Sequence, residues 1–366
     1  MDLERYRRRR VERGRQSMQR ALGVRPSGIN FASNDYLGFA ENPSIDVPPL
    51  PGGAGASALV TGWTPAHRYL ASLLADFESA PAAVVFPSGY AACSGVVATL
   101  GEAGDAILSD QLNHASLIDG CRLAPADVTV YPHRDVEFIE RWMRHHRTRF
   151  DRVWVVTDGV FSMDGVLAPV AALADVIRRF DADLIIDEAH ATGVIGPHGR
   201  GVAQAAGLAD AVTVRIGTLS KAVGAQGGFA VGPEAIVDEL INACRPLIFS
   251  TALCPAAVAA ATASLTEMIH DPTRRQRLRR HVIRVRRELS LPAEDAISAD
   301  VPILPIVRGD AADVVEASHR LAAEGLIVPA IRPPTVPPGT SRLRVTLSAA
   351  HDDEQVDRLI DAVRRL

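Results

Sequence analysis

Cysteine is scarce in this chain. Its 366 residues include only four, Cys93, Cys121, Cys244 and Cys254. None forms a CxxC pair or stands at metal-ligand spacing, so they read as reduced thiols of a cytosolic, that is cytoplasmic, protein. No uninterrupted apolar run reaches the length of a membrane span, and no membrane partner is expected. The N-terminus, MDLERYRRRRVERGRQ, is basic but lacks the apolar stretch of a signal peptide. It reads as a solvated helix, with a transit-like or nucleic-acid-binding arm as the alternative. A formal net charge of −4 argues against a nucleic-acid partner for the whole protein. There is no GxxxxGK[ST] loop, so the run Asp187-Glu188-Ala189-His190 is not the ATP-hydrolysis motif with the same letters. There is no GxGxxG after the first strand, which disfavours a dinucleotide-dependent oxidoreductase, and no internal repeat.

What is present is ordinary globular chain. Apolar residues make up 47% and charged residues 22%, over a length that suits two or three domains with ample core. Residues 1–22 read as an arginine-rich helix, 30–38 as a short strand and polar turn, and 43–57 as a Pro- and Gly-rich linker. From about 58, apolar strands alternate with amphipathic helices: AAVVFPSG, DAILSD, DVTVYP, RVWVVTDG, ADLIIDEA and AVTVRIG, with GGFAVG as one more strand. Val- and Ile-rich strands joined by helical crossovers predict a parallel sheet covered on both faces. After about 245 a long helix over roughly 255–290 leads into VPILPIVRG, a helix near 311–324, GLIVPAI, RLRVTLSAA and a helix from about 352. The expected division is an N-terminal helix and arm (1–50), a large domain (51–245) and a smaller α+β domain (246–366).

In a parallel sheet ligands bind beyond the carboxyl ends of the strands. Polar residues gather there: Ser88-Gly89-Tyr90, Asp110 to His114, Asp158 to Ser162, Asp187 to His190, and Thr218 to Lys221. Lys221 lies between an apolar strand and the small residues 222–228, a turn that lets backbone approach a ligand closely. A lysine there is a candidate nucleophile rather than a surface charge. Asp187 at a buried strand end needs a cationic partner, and a pyridinium nitrogen is one. With His190 beside the ring, these are the parts that hold pyridoxal phosphate: an amine for the Schiff base, a carboxylate and an imidazole. The first amides of a helix starting near Gly89 and Tyr90, after Ser88, can take the phosphate. The hydroxyls of Thr218 and Ser220 lie near it, and Ser162 is placed to donate to the ring oxygen. His114, at a strand-to-helix junction, either stacks on the pyridine face or caps its helix. Arg342 and Arg344 alternate onto one strand face, where a substrate carboxylate is a natural partner, while at least one of the two is expected to lie on a solvated face. Thr335 stands at the tip of the Pro-rich RPPTVPPG, which reads as a pocket wall.

NDYLG, SGYAA, NHASLIDG, GVFSMDG, DEAHATGVIGPHGRG, TLSKAVG and IFSTALCP, spread over nearly the whole chain, together resemble the α-oxoamine synthases, a branch of the fold type I pyridoxal-phosphate enzymes. The resemblance implies an α/β fold: a large domain with a mostly parallel seven-stranded sheet covered by helices, plus the smaller C-terminal domain. It implies an acyltransferase that joins an amino acid to an acyl thioester and releases the amino acid's carboxylate. AIRPPTVPPGTSRLRVTLSAAH looks most like members that use L-alanine and a pimeloyl thioester carried on coenzyme A or an acyl carrier protein. Members using glycine with acetyl-CoA, or serine with a long-chain acyl thioester, are the near alternative; a non-catalytic cofactor-binding protein is the distant one. The implied roles are Lys221 as Schiff-base lysine and base, Asp187 as partner of the ring nitrogen, and His190 as contact to the ring hydroxyl. His114 is implied to stack on the ring and meet substrate, with Ser88, Gly89, Tyr90, Ser162, Thr218 and Ser220 as cofactor contacts. Arg344 is implied to hold the amino-acid carboxylate, and Thr335 to line the acyl site. Ser250 and Thr251 are implied to reach the partner subunit's cofactor phosphate in a homodimer with shared active sites. Three departures stand out: a missing helix between Phe39 and Gly55, Asp158 where glutamate is common, and a compressed N-terminal segment. That compression leaves Arg7 to Arg10 and Arg20 all as candidates for one substrate-binding arginine.

Overall fold

Runs of Val, Ile and Leu bounded by Asp, Gly or Pro make the strands, because branched side chains pack well on a pleated surface and the flanking residues end the pairing. In this computed structural model, residues 3–15, 24, 26–41 and 50–366 are described. The chain forms two compact units. One holds Ser33–Leu304 and Thr346–Ile360; the other holds Met1–Ala32, Pro305–Val345 and Asp361–Leu366.

Strand β1 (Ile29–Asn30) belongs to the smaller unit. The larger unit is built on β2 (Ala82–Phe86), β3 (Ala106–Asp110), β4 (Asp127–Tyr131), β5 (Val153–Asp158), β6 (Asp183–Asp187), β7 (Val214–Thr218) and β8 (Gly228–Gly232). They form a seven-stranded sheet in the order β2-β8-β7-β6-β5-β3-β4. The seven apolar runs read from the sequence are these seven strands. Six run parallel; β8 is antiparallel to both its neighbours, β2 and β7. The reason is the short link 219–227, which turns the chain back but leaves no length for a helical crossover. One buried cluster covers a face of the sheet, with Val84, Phe86, Ile107, Trp154, Val156 and Ile216 packed against Cys93, Val96 and Leu100 of helix Gly89–Leu100. The chain leaves β3 in both directions, to β4 on one side and β5 on the other. That reversal opens a crevice at the strand ends, the expected place for a ligand.

The expected long helix over 255–290 is two helices, Pro255–His270 and Thr273–Glu288. Pro272 separates them, because it lacks the N–H a continuing helix needs and disfavours helical geometry in Asp271. The smaller unit carries most of β9 (Ile303–Gly309), then β10 (Leu326–Ile327), β11 (Ala330–Ile331) and most of β12 (Ser341–Thr346). These strands pair as β11-β12-β9 and β1-β10. The N-terminal helix spans Glu4–Arg15. The rest of its expected length, Arg20, and residues 43–49 of the Pro-rich linker fall outside the described residues. Among the described residues no helix is long and apolar enough to cross a membrane.

Candidate active site

A cavity of about 250 Å³ opens at the carboxyl ends of the parallel strands in the larger unit. Most of the expected rim lines it: Ser88, Gly89 and Tyr90 after β2, His114 after β3, Asp158 and Ser162 at and after the end of β5, Asp187 and His190 at and after the end of β6, and Thr218, Ser220 and Lys221 at and after the end of β7. Asp110, at the end of β3, does not; it pairs with His133 Nδ1 and Arg134 N instead. A wider cleft of about 370 Å³ lies by Pro197, Arg275 and Asp300. Its arginines are already engaged, Arg275 by Pro197 O and Arg279 by Asp300, and no nucleophile stands beside a base. The chemistry therefore belongs to the smaller cavity.

One end is made for an anion. Ser88 caps helix Gly89–Leu100, its Oγ accepting from Ala91 N at 3.1 Å, and leaves the first amides of the helix pointing outward. A Cβ on Gly89 would stand 2.9 Å from Thr218 Oγ1, so only glycine keeps this wall open. Thr218 Oγ1 and Ser220 Oγ both donate to Gly227 O, at 3.0 and 3.2 Å, and rotation of either O–H re-aims it at an anion. Tyr90 lines the cavity too, while its hydroxyl donates to Asp119 at the surface.

The floor is acidic. Asp158 and Asp187 are register partners on β5 and β6, so their side chains leave adjacent strands at one level. Both are buried. Burial first, then the charge of Asp187, push the Asp158 carboxyl well up, which favours its protonated form. Asp187 accepts from Cys93 Sγ at 3.2 Å and from Ala189 N at 2.9 Å. The Cys93 thiol stays protonated, its pKa raised by burial and then by Asp187. Asp158 accepts from His114 N at 3.0 Å, and Asn113 locks the same loop through Asp158 N and Val156 O.

His114 does cap its helix: Nδ1 lies 2.7 Å from Ser116 Oγ and accepts from Ser116 N at 3.3 Å. Capping and lining the cavity prove compatible, since the cap fixes the ring that faces the space. Burial lowers the His114 pKa, Asp187 opposing and Lys221 adding, so the imidazole is neutral near pH 7. His190 is held from behind by Tyr36, whose hydroxyl sits 2.6 Å from Nδ1.

Sequence reasoning missed Cys93, Tyr36 and the acid-pair role of Asp158. Cys93 stands four residues after Gly89 on one helix face, a spacing that could have flagged it. Tyr36 lies in the NDYLG run but 154 residues from His190. Ser250 and Thr251 do not line this cavity; Thr251 bridges to Ser57. Arg344 and Thr335 belong to the other unit. There β12 is buried along its whole length, Arg342 and Arg344 included, so the solvated-face reading of RLRVTL does not hold. Among the described residues no cluster could hold a metal ion.

Comparison with known proteins adds the lineage. Residues 26–363 match the family model for aminotransferase class I and II. An 8-amino-7-oxononanoate synthase from Anaeromyxobacter dehalogenans is 45% identical over 92% of this chain and 85% of its own length. One from Methylococcus capsulatus is 44% identical over 98% and 94%. Among solved structures, Sphingomonas wittichii serine palmitoyltransferase superposes with a TM-score of 0.87 at 31% identity, covering 92% of this chain and 86% of that one. A high-resolution structure of SPT with its PLP internal aldimine gives 0.91 at 27% identity over 100% and 98%. The fold is thus that of the fold type I pyridoxal-phosphate transferases. A lysine, an acid pair and two histidines around one strand-end crevice, in a chain so closely matched, make it a member of the class I and II aminotransferase family, among relatives named 8-amino-7-oxononanoate synthase.

Proposed function

We propose that this chain is a pyridoxal-phosphate-dependent acyltransferase. It condenses L-alanine with a pimeloyl thioester to give 8-amino-7-oxononanoate, carbon dioxide and the free thiol carrier, a step of biotin biosynthesis. The observation that carries the reading is the convergence of Lys221, Asp187, His114 and His190 on one cavity in a chain 45% identical to a named synthase. The cavity fits the cofactor. The cradle closed by a Cβ at Gly89 suits a phosphate, the buried Asp187 carboxyl at the cavity floor suits a ring N–H, and an amine stands on the small-residue turn.

Bound pyridoxal phosphate supplies an electron sink for the charge left at the amino acid's Cα. Lys221 would hold the group through Nζ, and its amine would take the Cα proton of alanine and return one to product. Asp187 holds the ring N–H and keeps it protonated, and Cys93 Sγ–H and Ala189 N–H orient its carboxylate. His114, neutral and fixed by its own helix cap, would pack on the ring and could carry a proton as carbon dioxide leaves. Ser162 and His190 address the ring oxygen. Arg344 for the alanine carboxylate, Thr335 for the acyl chain, and Ser250 and Thr251 acting across a homodimer belong to the same proposal. So do coenzyme A or an acyl carrier protein as the acyl carrier, and the organisation 1–50, 51–245 and 246–366.

Purified protein is expected to bind the cofactor and turn yellow. Lys221→Ala is expected to lose the lysine-linked absorbance band and about 10²–10⁴-fold in turnover. A colourless wild type that takes up no added cofactor overturns the assignment. A second reading, serine with a long-chain acyl thioester, draws on the likeness to S. wittichii serine palmitoyltransferase.

A further inference from the structure

Tyr36 has no part in the chemistry above, yet it is fully buried. Its backbone is fixed on both sides. Ala349 N donates to Tyr36 O at 2.8 Å, and Ser348 Oγ donates to Asp35 O at 2.6 Å. Asp35 accepts the amides of Phe39 and Ala40 at 2.9 and 3.0 Å, closing the turn beyond it. Gly38, at φ 71°, packs so close that a Cβ would lie 2.7 Å from Ala350 Cβ. The phenol is therefore delivered to His190 by rigid backbone, with ring centroids 6.1 Å apart and planes tilted by 54°.

A phenol has one proton to donate. The Tyr36 hydroxyl lies 3.2 Å from Asn34 Oδ1 and 2.6 Å from His190 Nδ1. The imidazole nitrogen is nearer and far more basic than an amide oxygen, so it takes the proton. With Nδ1 accepting, a neutral imidazole carries its own hydrogen on Nε2. A ring oxygen in the cavity that bonds this imidazole then meets an N–H donor. Without the phenol the ring is able to adopt the other tautomer, which sets a lone pair against that oxygen.

We propose that Tyr36 is a positioning residue for the reaction, fixing the tautomer and tilt of His190 so that Nε2–H addresses the cofactor's ring oxygen. This rests on the reading of His190 as the ring-oxygen contact. The first test needs no cofactor: ¹⁵N-histidine spectra of the full chain, with the His190 signals assigned by their loss in His190→Gln. Wild type is expected to show the Nε2–H form and Tyr36→Phe to lose that preference. An Nδ1–H form in wild type overturns the proposal, even were Tyr36→Phe unable to fold. The second test uses the loaded enzyme. Tyr36→Phe is expected to lower kcat about tenfold and to shift the pH titration of the cofactor's absorbance. The double variant with His190→Gln is expected to fall no further than His190→Gln alone. Multiplying effects, or an unmoved titration in Tyr36→Phe while His190→Gln moves it, overturn the Tyr36 proposal alone. No change in His190→Gln itself overturns the underlying reading of His190 as well.

Discussion

A carboxyl buried beyond the reach of water keeps its proton unless its partners outweigh the lost solvation. Asp158 follows that rule inside the site, and Glu78 follows it beneath the sheet. Glu78 is 1% exposed, with Arg215 Nη1 at 3.3 Å from Oε2. Among the described residues neither Glu78 Oε atom accepts a hydrogen bond. Burial therefore beats the pull of Arg215, and the Glu78 pKa rises from 4.5 to about 8. Between those two values the folded chain binds more protons at Glu78 than the unfolded chain does, so this residue makes stability fall as pH rises through that window. Glu78→Gln is expected to flatten the fall. Denaturation midpoints from pH 5 to pH 8 check it, and equal slopes for wild type and variant would contradict it. None of this was legible in the sequence. Glu78 closes an ordinary amphipathic helix, Pro65–Glu78, and nothing local says that an arginine on β7 lies under it.

At the scale of elements, β7 and β8 show why local pattern went so far. Their apolar runs read plainly as strands, and the short link between them accounts for the one antiparallel pairing. The pairing also sets Gly217 opposite Phe229, and a Cβ at Gly217 would stand 2.2 Å from the phenyl ring. Phe229 is itself fully buried and has little room to yield. Gly217→Ala is expected to destabilise the protein by about 1–3 kcal/mol through overpacking, read as a lower denaturant midpoint at unchanged slope. An unshifted midpoint would contradict the packing described. Strand positions were legible because seven short apolar runs are each bounded by turn residues. The break at Pro272 was legible too, but the helical runs on either side, apolar before it and Arg-rich after it, masked it. The burial of both arginines on β12 was not, since alternation gives a shared face and never says whether that face is wet.

For the whole molecule, the strand-end rule did most to make the site legible. It grouped Ser88, His114, Asp187 and Lys221 before any contact was known, and the fold brings them to one cavity. Two residues it left out hold others in place, Cys93 behind Asp187 and Tyr36 behind His190, and Asn113, inside one of its groups, does the same behind Asp158. They reach the site from a helix interior, a loop and an N-terminal turn, by pairings that only the folded chain creates. The same fold serves relatives with different substrates, so architecture does not choose among alanine, glycine and serine. The decisive measurement is turnover of the loaded enzyme with these three amino acids against pimeloyl, acetyl and palmitoyl thioesters, following release of the free thiol and carbon dioxide. Alanine with the pimeloyl thioester is expected to exceed every other pair by kcat/KM and to yield 8-amino-7-oxononanoate. Preference for serine with the palmitoyl thioester, or for glycine with the acetyl one, would contradict it.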